Sequence, residues 1–212
     1  MAVIAAHGHG APAHGAGHMS PEKRLQVNRV GLWLFFFSES IIFGLLFTSR
    51  FFLLGTHQEH VDQFLGLVIT IVLLASSVTA YTAETAMEKD KRQLAAWALF
   101  ATILLGVVFA IGVGFEWSVA EFGIKTAVEG QEPHNVVWGT VFFTMTGLHA
   151  AHVVSGVLML VLALSMLMRG HFSKDSHWGI SSTIMYWHFV DVVWVFYYPA
   201  LYLVAGGGTH TG

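Results

Sequence analysis

Five long apolar runs constrain this chain more than any other feature of its sequence. A helix needs about 20 residues to cross the hydrocarbon core of a bilayer, and each run is at least that long. None of the runs shows the sustained alternation of apolar and polar residues that is typical of a membrane β-barrel strand. The sequence therefore predicts an all-α membrane protein, a bundle of five transmembrane helices with spans at 30–54, 64–85, 93–117, 136–168 and 180–204.

The composition excludes several other classes of protein. Of the 212 residues, 55% are hydrophobic and 11% are charged, whereas a soluble domain carries roughly 25% charged residues. The chain contains no cysteine, which excludes disulfides, thiolate zinc sites and iron–sulfur clusters. No basic patch indicates a nucleic acid partner, so none is expected.

The segments outside the spans are short or polar. Residues 1–24 are rich in Ala, Gly and His and predict a disordered cytoplasmic tail. The alternative interpretation of its histidines is a loose metal-binding tail. Residues 25–205 are expected to form the transmembrane bundle as one domain, followed by a short Gly-rich tail at 206–212.

The basic residues predict the orientation of the bundle. Of the ten Lys and Arg residues, only Arg50 and Lys125 fall on one side of the five predicted spans. The positive-inside rule then places the N-terminus in the cytoplasm and the C-terminus outside. A multi-pass protein of a bacterial-type inner membrane is expected. Arg50 is expected to extend outward from the end of its span, and Trp117, Trp138 and Trp178 are predicted lipid or interface anchors.

A few ionisable residues lie within the spans, where they are costly and therefore candidates for function. Glu39 lies roughly 14 Å into the first span at 1.5 Å per residue. It is either a proton-handling carboxyl group or a neutral carboxyl that is hydrogen-bonded to a neighbouring helix. Glu84 and Glu116 lie near the ends of their spans, where water is close and no special role is needed.

Two pairs of polar residues share the spacing i, i+3, which places each pair on one helix face. His149 and His152 form the pair in the fourth span, and His188 and Asp191 form the pair in the fifth. These four residues have donor atoms for a metal ion, and two facing histidines are a possible haem ligand set. Interhelical hydrogen bonds within a bundle are the third interpretation. Spacing alone leaves all three open.

Four segments, in chain order, carry a family resemblance. They read WLFFFSESIIF in the first span, LLASSVTAYTAETAMEKDKRQ in and after the second, FFTMTGLHAAHVV in the fourth and YWHFVDVVW in the fifth. Together they resemble subunit III of haem-copper oxidases, in the five-helix form of the cytochrome c oxidase subunit 3 family. The resemblance runs from about Gly31 to Leu203.

The resemblance implies an accessory subunit of a respiratory terminal oxidase, which reduces O2 to water and translocates protons. The chain would carry no redox centre and no metal, would not be catalytic alone, and would stabilise the catalytic subunit. Glu39 matches the carboxyl group of the family that reacts with carbodiimide and supports proton uptake. The resemblance also implies that four residues are interhelical polar contacts rather than ligands, namely His149, His152, His188 and Asp191.

The resemblance also implies the cofactors and partners. Haem and copper would lie in partner subunits, and phospholipid would bind this chain. The partners would be oxidase subunit I in direct contact, subunit II, a small subunit IV, membrane lipids and an upstream respiratory complex in a supercomplex.

Several alternatives remain open at the level of the sequence. The motifs do not separate cytochrome c from quinol as the electron donor, and an accessory subunit of a nitric-oxide reductase shares the helical plan. A stand-alone di-histidine membrane cytochrome would need His149 or His152 to face His188 across a haem-sized gap. A proton-coupled transporter would use Glu39 and Asp191 as relay groups.

Overall fold

The structure, a computed structural model, describes residues 20–55, 61–120, 133–174 and 176–204. In these ranges the regular structure is helical. The helices are α1 (Pro21–Leu54), α2 (Gln63–Glu88), α3 (Arg92–Val119), α4 (Pro133–Met168) and α5 (Trp178–Tyr198), and a π-helix, Pro199–Leu203, follows α5. Among the described residues, α1, α2, α3 and the segment Val136–Met168 of α4 are long and apolar enough to cross a membrane. The prediction of an all-helical, multi-pass membrane protein is thereby confirmed.

Helix α1 begins earlier than the sequence predicts. The backbone N–H of Lys23 donates to Ser20 Oγ at 3.4 Å, and Pro21 occupies the first helical position. A serine cap followed by proline is a common way to begin a helix, because proline has no N–H that would need a partner there. Residues 21–24, predicted to belong to a disordered tail, are therefore helical. The rest of that tail and the tail at 206–212 lie outside the described residues.

Helix α5 is not among the four helices whose length and hydropathy alone indicate a membrane span, because aromatic, hydroxyl and ionisable side chains lie among its apolar ones. The helical path continues through Pro199, which cannot donate a backbone hydrogen bond. The backbone widens there, and the N–H of Val204 donates to the carbonyl oxygen of Pro199 at 3.1 Å, five residues back. The predicted span at 180–204 thus ends as a π-helix.

A helix cap and two tight turns mark where the helices begin and where the chain reverses direction. Asp62 caps α2 by accepting a hydrogen bond from the N–H of Leu65 at 3.0 Å. Asp90, at φ 58°, reverses the chain between α2 and α3, and Gly170, at φ 80°, reverses it after α4. In the first turn the N–H of Lys91 donates to the carbonyl oxygen of Ala86 at 2.8 Å, and in the second the N–H of His171 donates to that of Met166 at 3.0 Å. Each hydrogen bond satisfies a free carbonyl group at the end of the preceding helix.

The chain divides into two compact units, Met1–Phe37 and Ser38–Gly212. The described part of the first unit is the first half of α1, where Trp33, Leu34 and Phe37 are exposed. Within the second unit, α2 packs on α3, α3 on α4, α4 on α5, and α5 back on α2.

Aromatic side chains of α5 fill the centre of this second unit. Trp187 is fully buried and donates through Nε1 to Ser76 Oγ at 2.9 Å. Glycines of α3 and α4 make room for its ring, since a Cβ at Gly106 would lie 2.5 Å from it and a Cβ at Gly156 would lie 2.9 Å from it. Small residues that allow a large ring to approach the neighbouring backbone are typical of membrane helix packing.

Candidate functional site

The first polar contact of interest joins α1 to α4. Glu39 Oε2 lies 3.2 Å from His152 Nε2, and the two side chains are 17% and 16% exposed. The other ring nitrogen, Nδ1, lies 2.8 Å from the carbonyl oxygen of Leu148, one helical turn earlier. Because a carbonyl oxygen can only accept, Nδ1 carries the hydrogen of this bond.

The imidazole ring of His152 is held by aromatic neighbours. The ring of Phe43 meets it edge-on at 4.8 Å between centroids, and the ring of Tyr186 lies nearly parallel to it at 6.5 Å. The Tyr186 hydroxyl donates to the carbonyl oxygen of His152 at 3.2 Å and shares a 2.6 Å hydrogen bond with Ser155 Oγ. These contacts tie α1, α4 and α5 together around the Glu39–His152 pair.

His149, one turn before His152, has different surroundings. Its ring is fully buried beside Trp194 at 4.8 Å and Phe109 at 5.7 Å between centroids. Neither ring nitrogen has a hydrogen-bond partner among the residues that the structure describes. The two histidines that the sequence places on one face therefore meet different neighbours.

His188 and Asp191 form a third polar group, on α5. His188 Nδ1 shares a 2.8 Å hydrogen bond with Ser77 Oγ of α2. Asp191 Oδ2 lies 3.9 Å from the same nitrogen, which is beyond hydrogen-bond distance, and Asp191 is buried. The structure therefore brings Glu39 to His152 and His188 to Ser77, rather than all of the predicted site residues to one place.

The described residues do not provide a set of ligands for a metal ion. No group of three or more His, Asp or Glu residues in those ranges is placed to hold a metal ion. His149 is packed against aromatic rings, and His152 and His188 each use Nδ1 for a hydrogen bond within the protein.

The structure corrects two of the predicted lipid or interface residues. Arg50 and Trp138 are both fully buried, and the Arg50 guanidinium lies 4.7 Å above the Trp138 ring. Arg50 also donates to the carbonyl oxygens of Ala200 at 3.2 Å and Gly55 at 3.0 Å. A guanidinium group has several donors and stacks on aromatic faces, so Arg50 can be satisfied by contacts within the protein. Its side chain therefore points into the protein and does not extend outward from the end of its span.

The role of the other two tryptophans, Trp117 and Trp178, as interface anchors stays a prediction. Trp117 is 36% exposed and donates through Nε1 to Thr146 Oγ1 at 3.1 Å. Trp178 is half-buried at the beginning of α5.

A buried pair that the sequence reasoning missed lies between α3 and the π-helix. Glu116 is only 4% exposed, and the Tyr202 hydroxyl donates to its Oε2 at 2.6 Å. Glu116 lies near the end of α3 as expected, but its side chain is buried within the protein rather than solvated. The available signal is helical spacing, since Glu116 follows Phe109 and Val113 on the same face of α3, and both of these residues are buried.

The fold and these contacts define a class of protein, a polytopic helical membrane protein whose helices are joined by buried polar pairs. A sequence model of the family described as cytochrome c oxidase subunit III matches residues 13–206. The chain belongs to the cytochrome c oxidase subunit III family. The family predicted from the four sequence segments is confirmed.

Individual relatives agree with the family. The chain is 31% identical over 195 residues to cytochrome c oxidase subunit 3 of Thermostichus vulcanus, covering 88% of this chain and 90% of that protein. It is 36% identical over 186 residues to the protein of the same name from Neurospora crassa, covering 82% and 66%. For the Drosophila melanogaster protein of that name, identity is 36% over 140 residues, and the chain spans about half of its length.

Proposed function

We propose that this chain is an accessory subunit III of a respiratory terminal oxidase of the cytochrome c oxidase type. In the assembled complex, O2 is reduced to water and protons are translocated. The chain stabilises the catalytic subunit I and supports its proton uptake, while subunits I and II carry haem and copper. Membership of the family and the names of its relatives support this proposal.

The Glu39–His152 pair is the observation that carries the proton-uptake part of the proposal. A carboxyl group and an imidazole inside a membrane-spanning helix are expensive, and such groups commonly take part in proton transfer. The two side chains touch at 3.2 Å and keep about a sixth of their surface exposed. Part of the surface of Glu39 and His152 is therefore accessible to a neighbouring subunit or lipid that binds this side of the chain.

A cleft between α1 and α5 supports the proposal that phospholipid binds. It encloses about 330 Å³ and is lined mainly by apolar side chains, including Phe43, Phe47, Phe189 and Phe196. A lipid acyl chain has matching chemistry, because both the acyl chain and most of the lining are apolar, and burying apolar surface is favourable.

The distribution of Lys and Arg supports the rest of the topology. The proposal places the N-terminus in the cytoplasm, the C-terminus outside and the protein in a bacterial-type inner membrane.

Purification of a tagged chain from native membranes in mild detergent tests the proposal. Haem a bands in the reduced-minus-oxidised optical spectrum of the complex, lost when the chain is separated from its partners, are the expected result. Haem b and o bands without haem a would replace the proposal with a quinol oxidase. Haem that stays with the isolated chain would overturn the accessory role. A tagged Glu39→Gln chain is the matched control for assembly and should co-purify the same haems.

A further inference from the structure

The two ring nitrogens of His188 have different surroundings. Nδ1 shares a 2.8 Å hydrogen bond with Ser77 Oγ and lies 3.9 Å from Asp191 Oδ2. Nε2 has no hydrogen-bond partner among the residues that the structure describes, and 36% of the side chain is exposed. Because Nε2 carries either a hydrogen or a free lone pair, it is polar in every protonation state of the ring. The imidazole therefore presents one unsatisfied polar atom on the surface of α5.

This atom lies near the middle of the membrane. Ser77 is roughly 16–21 Å from either end of α2, at 1.5 Å per residue, and α2 is long and apolar enough to cross a membrane. The hydrogen bond between Ser77 and His188 puts the imidazole at the same depth. Acyl chains have no hydrogen-bonding group, so lipid would leave Nε2 without a partner, which is costly in hydrocarbon.

The surface around Nε2 is mainly apolar. On α5, Val192 and Val195 follow His188 by one and two turns, lie on the same side of the helix and are exposed. On α2, two more exposed residues lie one turn to either side of the serine that bonds to His188, namely Leu74 and Tyr81. Together these five side chains form a surface that we call the His188 face. Interfaces between membrane helices combine such apolar packing with hydrogen bonds between polar side chains.

We propose that the His188 face binds a transmembrane helix of a partner subunit, and that a hydroxyl or amide side chain in the middle of that helix hydrogen-bonds to His188 Nε2. A hydroxyl or an amide group both donates and accepts, so it suits Nε2 with or without a hydrogen. The hydrogen bond from Nδ1 to Ser77 holds the ring in the orientation that this contact needs. The inference rests on the proposed function, which makes this chain a subunit of a larger complex.

Two substitutions of His188 separate the roles of its ring nitrogens. The side-chain amide of glutamine reaches about as far as Nε2, whereas that of asparagine reaches only about as far as Nδ1. The complex is purified with each variant, and the ratio of released to bound chain is measured in a detergent titration. His188→Asn should raise this ratio about 3- to 15-fold, as expected for the loss of one hydrogen bond between membrane helices, and His188→Gln should stay within about twofold of the wild type. A loss with His188→Asn no larger than with His188→Gln would overturn the proposal.

Ser77→Ala is the matched control for the contacts of His188 within the chain. It removes the hydrogen bond to Nδ1 and leaves Nε2 in place, so the ratio of released to bound chain should stay within about twofold of the wild type. A release as large as with His188→Asn would assign the effect to the internal contact and overturn the proposal.

Photo-cross-linking tests the same surface with His188 intact, and it does not depend on the folding of a His188 variant. A benzophenone amino acid replaces Val192, the purified complex is irradiated, and the cross-linked peptides are identified by mass spectrometry. The expected product joins this chain to an apolar segment of a different subunit that is long enough to span the membrane and has a hydroxyl or amide residue near its middle. Cross-links to lipid alone, to a second copy of this chain or to a segment without such a residue would overturn the proposal. The haem spectrum of the same preparation tests the proposed function separately, so a partner helix can be found even if the oxidase assignment fails.

Discussion

Replacing Gly106 by alanine should destabilise the bundle, although alanine favours helices more than glycine does. A Cβ at Gly106 would lie 2.5 Å from the far edge of the Trp187 ring and 3.0 Å from a methyl group of Val157. Carbon atoms pack well at about 3.5–4.0 Å, so the ring would have to move by about 1 Å. Trp187 is fully buried and hydrogen-bonded to Ser76, so there is little free space into which its ring could move.

The magnitude follows from three effects on the free energy of unfolding. Overpacking a well-filled core costs about 1–3 kcal/mol, and weakening the bond from Trp187 to Ser76 costs up to about 1 kcal/mol. The higher helix propensity of alanine offsets about 1 kcal/mol. Gly106→Ala should therefore lower the free energy of unfolding by about 0–3 kcal/mol, with a central value of about 1.5 kcal/mol.

A matched control lies on the same helix. A Cβ at Gly114 would meet no atom within 4 Å, so Gly114→Ala should be neutral or stabilise by up to about 1 kcal/mol. Both variants are compared in the purified complex by the detergent-titration midpoint and by the fraction of this chain retained. Equal midpoints for the two variants, or a more stable Gly106→Ala, would refute the packing argument at Trp187.

Three other substitutions test the polar contacts. Glu39→Gln should abolish carbodiimide labelling at this position and leave the optical spectrum unchanged, and unchanged labelling would contradict the role of Glu39. Arg50→Lys keeps the charge but not the planar group over the ring of Trp138, and it should lower the free energy of unfolding by about 1–2 kcal/mol in detergent titrations; no change would argue against the buried position of Arg50. Tyr202→Phe leaves buried Glu116 without its donor and should lower that free energy by about 1–3 kcal/mol, whereas Tyr198→Phe should have little effect. Equal losses in the two tyrosine variants would show that the hydroxyl of Tyr202 is not the cause.

The helical architecture could be predicted because the membrane leaves few alternatives. A backbone in hydrocarbon must satisfy its own hydrogen bonds, so a long apolar run has to be a helix. The observed helices α2 and α3 differ from the predicted spans 64–85 and 93–117 by only a few residues at each end. The early beginning of α1 depends on the Ser20–Pro21 cap, a local signal that hydropathy does not contain.

The candidate site could be predicted only in part. An ionisable residue in an apolar run stands out, and this drew attention to Glu39 and to the polar residues of the fourth and fifth spans. Which of these residues contact each other depends on how each helix is rotated about its own axis, and the sequence does not give this rotation. His149 and His152 are equivalent by spacing, yet only His152 contacts Glu39 among the described residues, whereas His149 packs against Trp194.

The sequence by itself determined the family, the helices and their order, because these follow from motif order and from the length of apolar runs. The tertiary structure decided which side chains face inward, and it placed Arg50 and Glu116 inside the protein rather than on its surface. The physical reason is that lipid is as apolar as the protein interior, so the buried and lipid-facing sides of a membrane helix have similar residues. Leu73 is fully buried whereas Leu74 is 43% exposed, and only the packing of neighbouring helices distinguishes them.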